Sequence, residues 1–324
     1  MQDQYNRKID YLRISVTDKC NFRCMYCMPE EGVDYIDHKD ILRFEEVIRI
    51  CRCAVKLGIH KIKITGGEPL IRRGVCDLIR EINRIQGIDS ITLTTNGYRL
   101  QEFLPELKEA GVTGINISLD TLDEERFQKI TRHEGLEAVL KGIHEAVRIG
   151  ISSVKVNCVP MGVNSDDFAE VAMLAKDEPV HVRFIEMMPV GIGKEFGRIE
   201  QKEIMKKLEE KIGPLMPVEE KLGNGPARYY SAQDFQGRIG FISAMSHEFC
   251  QDCNRIRLTA DGYLKLCLNY HSHLNVRDFI RSGVTDGQLE EFLREAVYHK
   301  PRRHGFEEQD NEEREDRRMA GIGG

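Results

Sequence analysis

Six times in the first 190 residues a short β-branched run is followed by room for an amphipathic stretch. That beat limits the fold more than any single motif. Candidate strands fall at 11–16, 60–65, 90–95, 114–119, 153–159 and 181–187, with amphipathic patterns such as Leu42–Leu57, Leu78–Ile85 and Phe127–Ile149 between them. Alternation of this kind predicts a parallel α/β architecture. An open doubly wound sheet and a partial barrel both fit the beat, and periodicity does not choose between them. The strands themselves are unusual. Lys61 and Lys63 alternate with Ile62 and Ile64, and Thr92 and Thr94 with Ile91 and Leu93; Asn116, Ser118, Lys155, Asn157 and Arg183 behave alike. Alternate strand residues share a face, so one face carries hydroxyls, amides and cations. Edge strands with a solvated face are one reading. Repetition across five strands favours a polar lumen, and because buried unpaired cations are costly, an anion such as a triphosphate is a fitting occupant.

After Gly191 the beat stops. A charged helix at about 198–211 leads into the Gly/Pro-rich Gly223-Asn-Gly-Pro226, then strands at 227–231 and 238–243. A hairpin over Ile256–Cys267 turns at Asp261-Gly262, a pair suited to a tight turn, and helices are expected at 274–281 and 286–299. The expected division is a domain at 1–190, a smaller module at 191–306 and a charged tail at 307–324. The tail ends Gly-Ile-Gly-Gly, and by composition it reads as disordered.

Composition excludes several classes. The chain has 324 residues, 41% hydrophobic and 31% charged, ordinary for a soluble enzyme. No run of about 18 apolar residues is present to span a membrane, and the N-terminal stretch lacks an apolar signal core, so a cytoplasmic protein is expected. A net charge of −6 disfavours broad nucleic-acid binding but leaves room for a small polyanion.

The ten cysteines then read as reduced thiols and metal ligands rather than disulfides. Cys20, Cys24 and Cys27 stand at C-x3-C-x2-C just after the first strand. A fully protein-ligated iron–sulfur cubane takes four cysteines, so three leave one iron open, as catalytic metal centres require. A zinc site would want a fourth ligand near by, and the motif has none. A second trio, Cys250, Cys253 and Cys267, repeats the arrangement in the C-terminal module; there His247 could complete a zinc tetrahedron, and that alternative stands beside a second cluster. Cys51, Cys53, Cys76 and Cys158 read as core residues.

C-x3-C-x2-C with Tyr26 before the last cysteine, joined to Thr65-Gly-Gly-Glu-Pro69 after a strand, resembles the signature of the radical S-adenosylmethionine (SAM) enzymes. Within them the whole chain is similar to the GTP 3′,8-cyclase family of molybdenum cofactor biosynthesis. The matching pieces include Tyr11–Asp18, Cys27-Met-Pro29, Thr94-Thr-Asn-Gly97, Ile117-Ser-Leu-Asp120, Arg183-Phe-Ile-Glu186, the run from Cys250 to Arg257, and Gly323-Gly324. The resemblance implies a partial (βα)6 TIM-like barrel of radical SAM type with a smaller C-terminal α+β module carrying a second Fe–S cluster. It implies two [4Fe–4S] clusters and SAM as cofactors, and the conversion of GTP to (8S)-3′,8-cyclo-7,8-dihydro-GTP.

Carried over residue by residue, the resemblance implies that Cys20, Cys24 and Cys27 hold the SAM cluster and that Tyr26, Gly67, Ser118 and Met188 contact SAM. Cys250, Cys253 and Cys267 hold the auxiliary cluster, with Arg255 and Arg257 beside it as catalytic residues that also touch GTP. Arg13, Lys63, Thr94, Lys155 and Arg183 complete the GTP contacts. The family often has Arg where this chain has Lys63, which keeps the charge but loses the bidentate fork. The Gly-Gly end resembles a family feature that reaches toward the active site. Further implications are a flavodoxin- or ferredoxin-like electron donor, product hand-off to a cyclic pyranopterin monophosphate synthase, and a homodimer. Neither nucleic acid nor membrane is an expected partner.

Overall fold

The computed structural model describes residues 1–220, 222–306, 315 and 317–323. Its first half alternates as the sequence predicts. The strands are β1 (Tyr11–Ser15), β2 (Lys61–Thr65), β3 (Ser90–Thr95), β4 (Gly114–Ser118), β5 (Ser153–Cys158) and β6 (Val180–Ile185). Between them run α1 (Phe44–Lys56), α2 (Val75–Asn83), α3 (Leu100–Glu109), α4 (Glu124–Thr131), α5 (Leu136–Arg148) and α6 (Phe168–Asp177). β1 to β6 are parallel in sequential order, the product of one βα crossover after another. Their apolar residues (Ile14, Ile64, Leu93, Ile117, Val156) are buried against the helices. The sheet curls. Arg13 of β1 feels the charge of Arg183 on β6, five strands away in the sheet, so the polar face becomes a lumen.

The C-terminal segment supplies α7 (Gln201–Ile212), β7 (Met216–Val218), β8 (Arg228–Ser231), β9 (Ile239–Ile242), β10 (Arg255–Leu258), β11 (Leu264–Lys265), α8 (Val276–Arg281) and α9 (Asp286–Tyr298). Its strands do not form a sheet of their own. β10 adds in parallel beside β1 and β9 in parallel beside β6, giving one eleven-stranded order, β11-β10-β1-β2-β3-β4-β5-β6-β9-β8-β7. The chain thus extends both open edges of the barrel sheet, which leaves fewer edge groups unpaired.

Two sequence expectations need correction. The single amphipathic stretch Phe127–Ile149 is two helices, because Arg132 adopts a left-handed conformation (φ 54°) that ends α4. The break serves the cysteine loop: the Arg132 guanidinium donates to the carbonyls of Arg23 and Met28, each at 3.0 Å. The end of the tail also departs from the disorder its composition predicts. Its positions 307–314, 316 and 324 lie outside the described residues, but Met319–Ile322 forms a short helix, α10, with Ile322 fully buried beside Val190, Leu268 and Phe306. Four residues with an apolar face suffice to dock it. Helices α3 and α6 and strand β7 carry no expectation from the sequence; Pro105 inside α3 obscures the first. Among the described residues, no helix is long and apolar enough to cross a membrane.

Candidate active site

Every candidate site residue lines one cavity of about 520 Å³ in the lumen, a size that suits a nucleotide and part of a second ligand. The first cysteine loop leaves the C-terminal end of β1, and the glycine turn leaves the C-terminal end of β2, which lies beside it. The two turns interlock. The Gly67 amide donates to the Thr17 carbonyl at 2.7 Å and that of Glu68 to Lys19 at 2.8 Å. A Cβ at Gly67 would stand 2.3 Å from the Lys19 carbonyl oxygen, so only glycine allows this approach. Glu68 ties the turn down, accepting from the Leu70 amide at 3.0 Å, the Thr95 hydroxyl at 2.8 Å and the Asn96 amide at 2.6 Å. Burial nevertheless raises its carboxyl to about 7.

The first trio suits a metal cluster by the chemistry of its donors. Burial pushes the Cys20 thiol up to about 12 and Cys27 up to about 11, and raises Cys24 well above its ordinary value. A bound metal would take up the charge of such thiols, since a coordinating thiol is deprotonated. Donors to sulfur are already in place: the Phe22 amide reaches Cys20 Sγ at 3.4 Å, Asn96 Nδ2 reaches it at 3.9 Å, and the Ala320 amide bonds Cys27. Tyr26 is oriented by Asp120, its hydroxyl donating to Oδ2 at 3.0 Å. Burial lifts the Asp120 carboxyl to about 6.

The second trio opens on the same cavity at its opposite end. Cys250 and Cys253 immediately precede β10, whose Arg255 pairs with Tyr11 at the start of β1, and Cys267 follows the antiparallel β11 back to that level. The length of β1 therefore separates the trios, roughly 15 Å at the rise of a strand. Burial raises the Cys253 thiol, but Lys300 and Arg255 outweigh it and bring it down to about 7. Arg7 holds the loop from behind: paired with Asp3 at 2.6 Å, it donates to the carbonyls of Cys250 at 2.8 Å and Pro301 at 2.7 Å. The zinc ligand considered from the sequence, His247, is exposed and does not line the cavity. Glu248 and His304 stand beside Cys250 instead, their donor atoms within 4.8 Å. That group takes in one cysteine of the three. Among the described residues the three thiols do not gather with one another as donors to a single ion, which agrees with a cluster whose thiolates bind separate irons.

Between the trios the strand registers stack cations. Arg257, Arg13 and Lys63 are neighbours across β10, β1 and β2; Asn116 and Lys155 pair across β4 and β5, and Asn157 and Arg183 across β5 and β6. Thr94 and Ser118 line the same lumen, as does Met188 near its rim. Lys61, by contrast, turns away and pairs with Asp10 at 2.8 Å. Arg183 is held by amides, Nε to Asn157 Oδ1 and Nη2 to Asn116 Oδ1, each at 2.9 Å, which orient the charge without cancelling it. Burial, with the crowding of Arg13, Arg183, Lys155 and Arg255, drives Lys63 well below its ordinary value. Lys155 falls to about 8 through burial and Arg183. Arg257 is depressed first by burial, then by Arg13 and Arg255, and donates to the Gly323 carbonyl at 2.9 Å. The cavity thus gathers cationic side chains from five strands. Sequence reasoning missed Asp120, Asn96, Arg7, Lys300 and His304. The first two sit inside motifs already quoted; Arg7, Lys300 and His304 carry no local signal.

A curled parallel sheet with three thiols beyond β1 and a glycine turn beyond β2 defines the radical SAM class. A model described as Radical SAM superfamily matches residues 14–175, and one described as Molybdenum Cofactor Synthesis C matches residues 180–306. The chain is 43% identical over 325 residues to a GTP 3′,8-cyclase of Clostridium perfringens (strain 13) and 45% identical over 328 residues to one of Pelotomaculum thermopropionicum, covering 100% of each protein in both comparisons. This chain belongs to the GTP 3′,8-cyclase family. Among solved structures, Streptococcus suis SuiB shares the fold at a TM-score of 0.64 and 14% identity, over 93% of this chain and 68% of that one.

Proposed function

We infer that this protein converts GTP to (8S)-3′,8-cyclo-7,8-dihydro-GTP, the first step of molybdenum cofactor biosynthesis. The observation that carries the reading is that both thiol trios and the cations between them open on one cavity. Cys20, Cys24 and Cys27 hold the SAM cluster, and Tyr26, Gly67, Ser118 and Met188 contact SAM. Cys250, Cys253 and Cys267 hold the auxiliary cluster at the other end. When bound, the cluster–SAM group supplies one-electron chemistry that takes the ribose C3′ hydrogen so that C3′ joins guanine C8, with an electron and a proton completing the product.

The chain's own part is alignment and exclusion of water. Arg13, Lys63, Lys155 and Arg183 bind the polyphosphate, and Thr94 adds a hydroxyl. Arg255 and Arg257 hold the guanine end beside the auxiliary trio. The short helix α10 packs Met319 and Ala320 against the lumen, keeping solvent from the rim, and Arg257 draws Gly323 inward. Removing Gly323 and Gly324 is therefore expected to cut cyclisation far more than thermal stability. The functional division follows residue 190, the barrel generating the reactive group and residues 191–306 holding the substrate base, with 307–324 as the covering tail. A flavodoxin- or ferredoxin-like donor, hand-off to a cyclic pyranopterin monophosphate synthase, a homodimer and a reducing cytoplasmic setting complete the proposal.

The test is anaerobic reconstitution with iron and sulfide, followed by SAM, GTP and dithionite. GTP-dependent 5′-deoxyadenosine and a cyclised nucleotide are expected. Only the GTP-independent background of SAM cleavage would overturn the assignment.

A further inference from the structure

The cavity has a floor that the cysteine and arginine assignments leave unused. Gly223, Asn224, Gly225 and Pro226, from the loop before β8, line it together with Ser90 and Ser153. Ser90 and Ser153 are the first residues of β3 and β5, so this loop closes the barrel at the N-terminal ends of its strands. The auxiliary trio lies at the same level but beside β1 and β10, across the lumen. A nucleotide whose base sits at that trio can therefore run its phosphates along the cations toward the loop.

The loop is built to meet an anion. Asn224 Nδ2 donates to Ser90 Oγ at 3.2 Å, and the Leu222 carbonyl accepts from the Tyr229 hydroxyl at 3.3 Å, which pins both sides of Gly223. Gly223 takes φ +108°, a conformation that favours glycine, and its backbone lies beside the Lys155 ammonium, which itself donates to Ser153 Oγ at 2.6 Å. Among the described residues, nothing accepts from the amides of Gly223, Asn224 and Gly225. Gly223 and Gly225 are exposed, so their amides are open to a ligand, and successive open amides next to an ammonium are the elements of an anion-binding concavity.

We propose that the Gly223-Asn224-Gly225 floor, with Lys155, receives the terminal phosphate of the nucleotide and sets the polyphosphate length that the site accepts. This rests on the reading of the substrate as a guanosine polyphosphate. The floor is a specificity element. It favours a triphosphate over a diphosphate, which stops short of the loop.

Binding, measured anaerobically on the reconstituted protein by calorimetry with GTP, GDP and inorganic tripolyphosphate, separates the two ideas. The unsubstituted protein should bind GTP roughly tenfold to a hundredfold more tightly than GDP, the value of one or two charge-assisted hydrogen bonds. Gly223→Val should bring GTP down to the GDP level while leaving GDP binding in place, which also reports an intact fold. Asn224→Asp, nearly isosteric, should do the same through charge repulsion. Equal losses for GTP and GDP, or none in either variant, would overturn the floor. If no guanine nucleotide binds but tripolyphosphate does and Gly223→Val abolishes it, the floor stands and the substrate reading falls.

Discussion

The two cysteine trios sit at opposite ends of the same strands, β1 and β10, in different electrostatic settings. At the rim, burial raises all three thiols, and the charged groups acting on them include Glu68 and Asp120. At the base, burial likewise raises Cys250, but Lys300 and Arg255 bring Cys253 to about 7. The charges that weigh most on the rim thiols are carboxylates and the neighbouring thiols, which suits a centre whose bound partner is cationic. The base trio lies among fixed positive charges, which suits a centre that receives an anionic substrate. On the proposed reading, one lumen separates making a reactive species from holding the molecule on which it acts.

The largest expected effects test that separation. Cys24→Ala should abolish SAM cleavage and lower cyclisation by more than about a thousandfold, since protein side chains do not replace the cofactor's chemistry. Cys250→Ala should also remove cyclisation yet keep uncoupled 5′-deoxyadenosine formation. Each variant should retain about half of the iron, measured by elemental analysis. A Cys250→Ala protein unable to cleave SAM would show that the two ends are not independent.

Arg7→Ala is expected next. It frees the carbonyls of Cys250 and Pro301 without touching the lumen, so auxiliary iron and cyclisation should fall about 10- to 100-fold, as outer-shell losses commonly do, while SAM cleavage is spared. A smaller change follows from Lys63→Arg, which restores a bidentate fork and should tighten GTP binding a few-fold, about 0.5–1 kcal/mol. Glu46→Gln lies outside the site. Glu46 is buried between α1 and α8, bonded to Arg281 at 2.8 Å and Arg43 at 3.0 Å. Despite the opposing effect of burial, Arg281 and Arg43 hold its carboxyl at about 2, below the ordinary 4.5. Its contribution is therefore complete above about pH 4.5 and lost as pH falls toward 2. The variant should be less stable at neutral pH by about 1.5–3 kcal/mol, the worth of hydrogen bonds to a charged group, with a smaller difference in acid and no change in coupling between SAM cleavage and cyclisation.

Much of this was legible in the residues. The βα beat located β1 to β6 within a residue or two, and the alternation of Lys63, Thr94, Asn116, Lys155 and Arg183 with apolar neighbours foretold a polar lumen, because strand geometry fixes which residues share a face. Local spacing announced the cysteine trios. Register, by contrast, was illegible. Nothing in the sequence says that β10 pairs with β1, so the opposite placement of the trios could not be read. Long-range partners escaped for the same reason: Arg7 reaches Cys250 across 243 positions. The tail misled because its charged stretch dominates the composition, while a four-residue apolar turn decides where its end docks.

The central claim is that the group generated at the rim reaches the ribose of a GTP held from the base. Isotope transfer tests this directly. With GTP deuterated at C3′, the reconstituted protein should yield 5′-deoxyadenosine carrying that deuterium, together with a cyclised nucleotide that has lost it. Unlabelled 5′-deoxyadenosine formed alongside unchanged deuterated GTP would contradict the account.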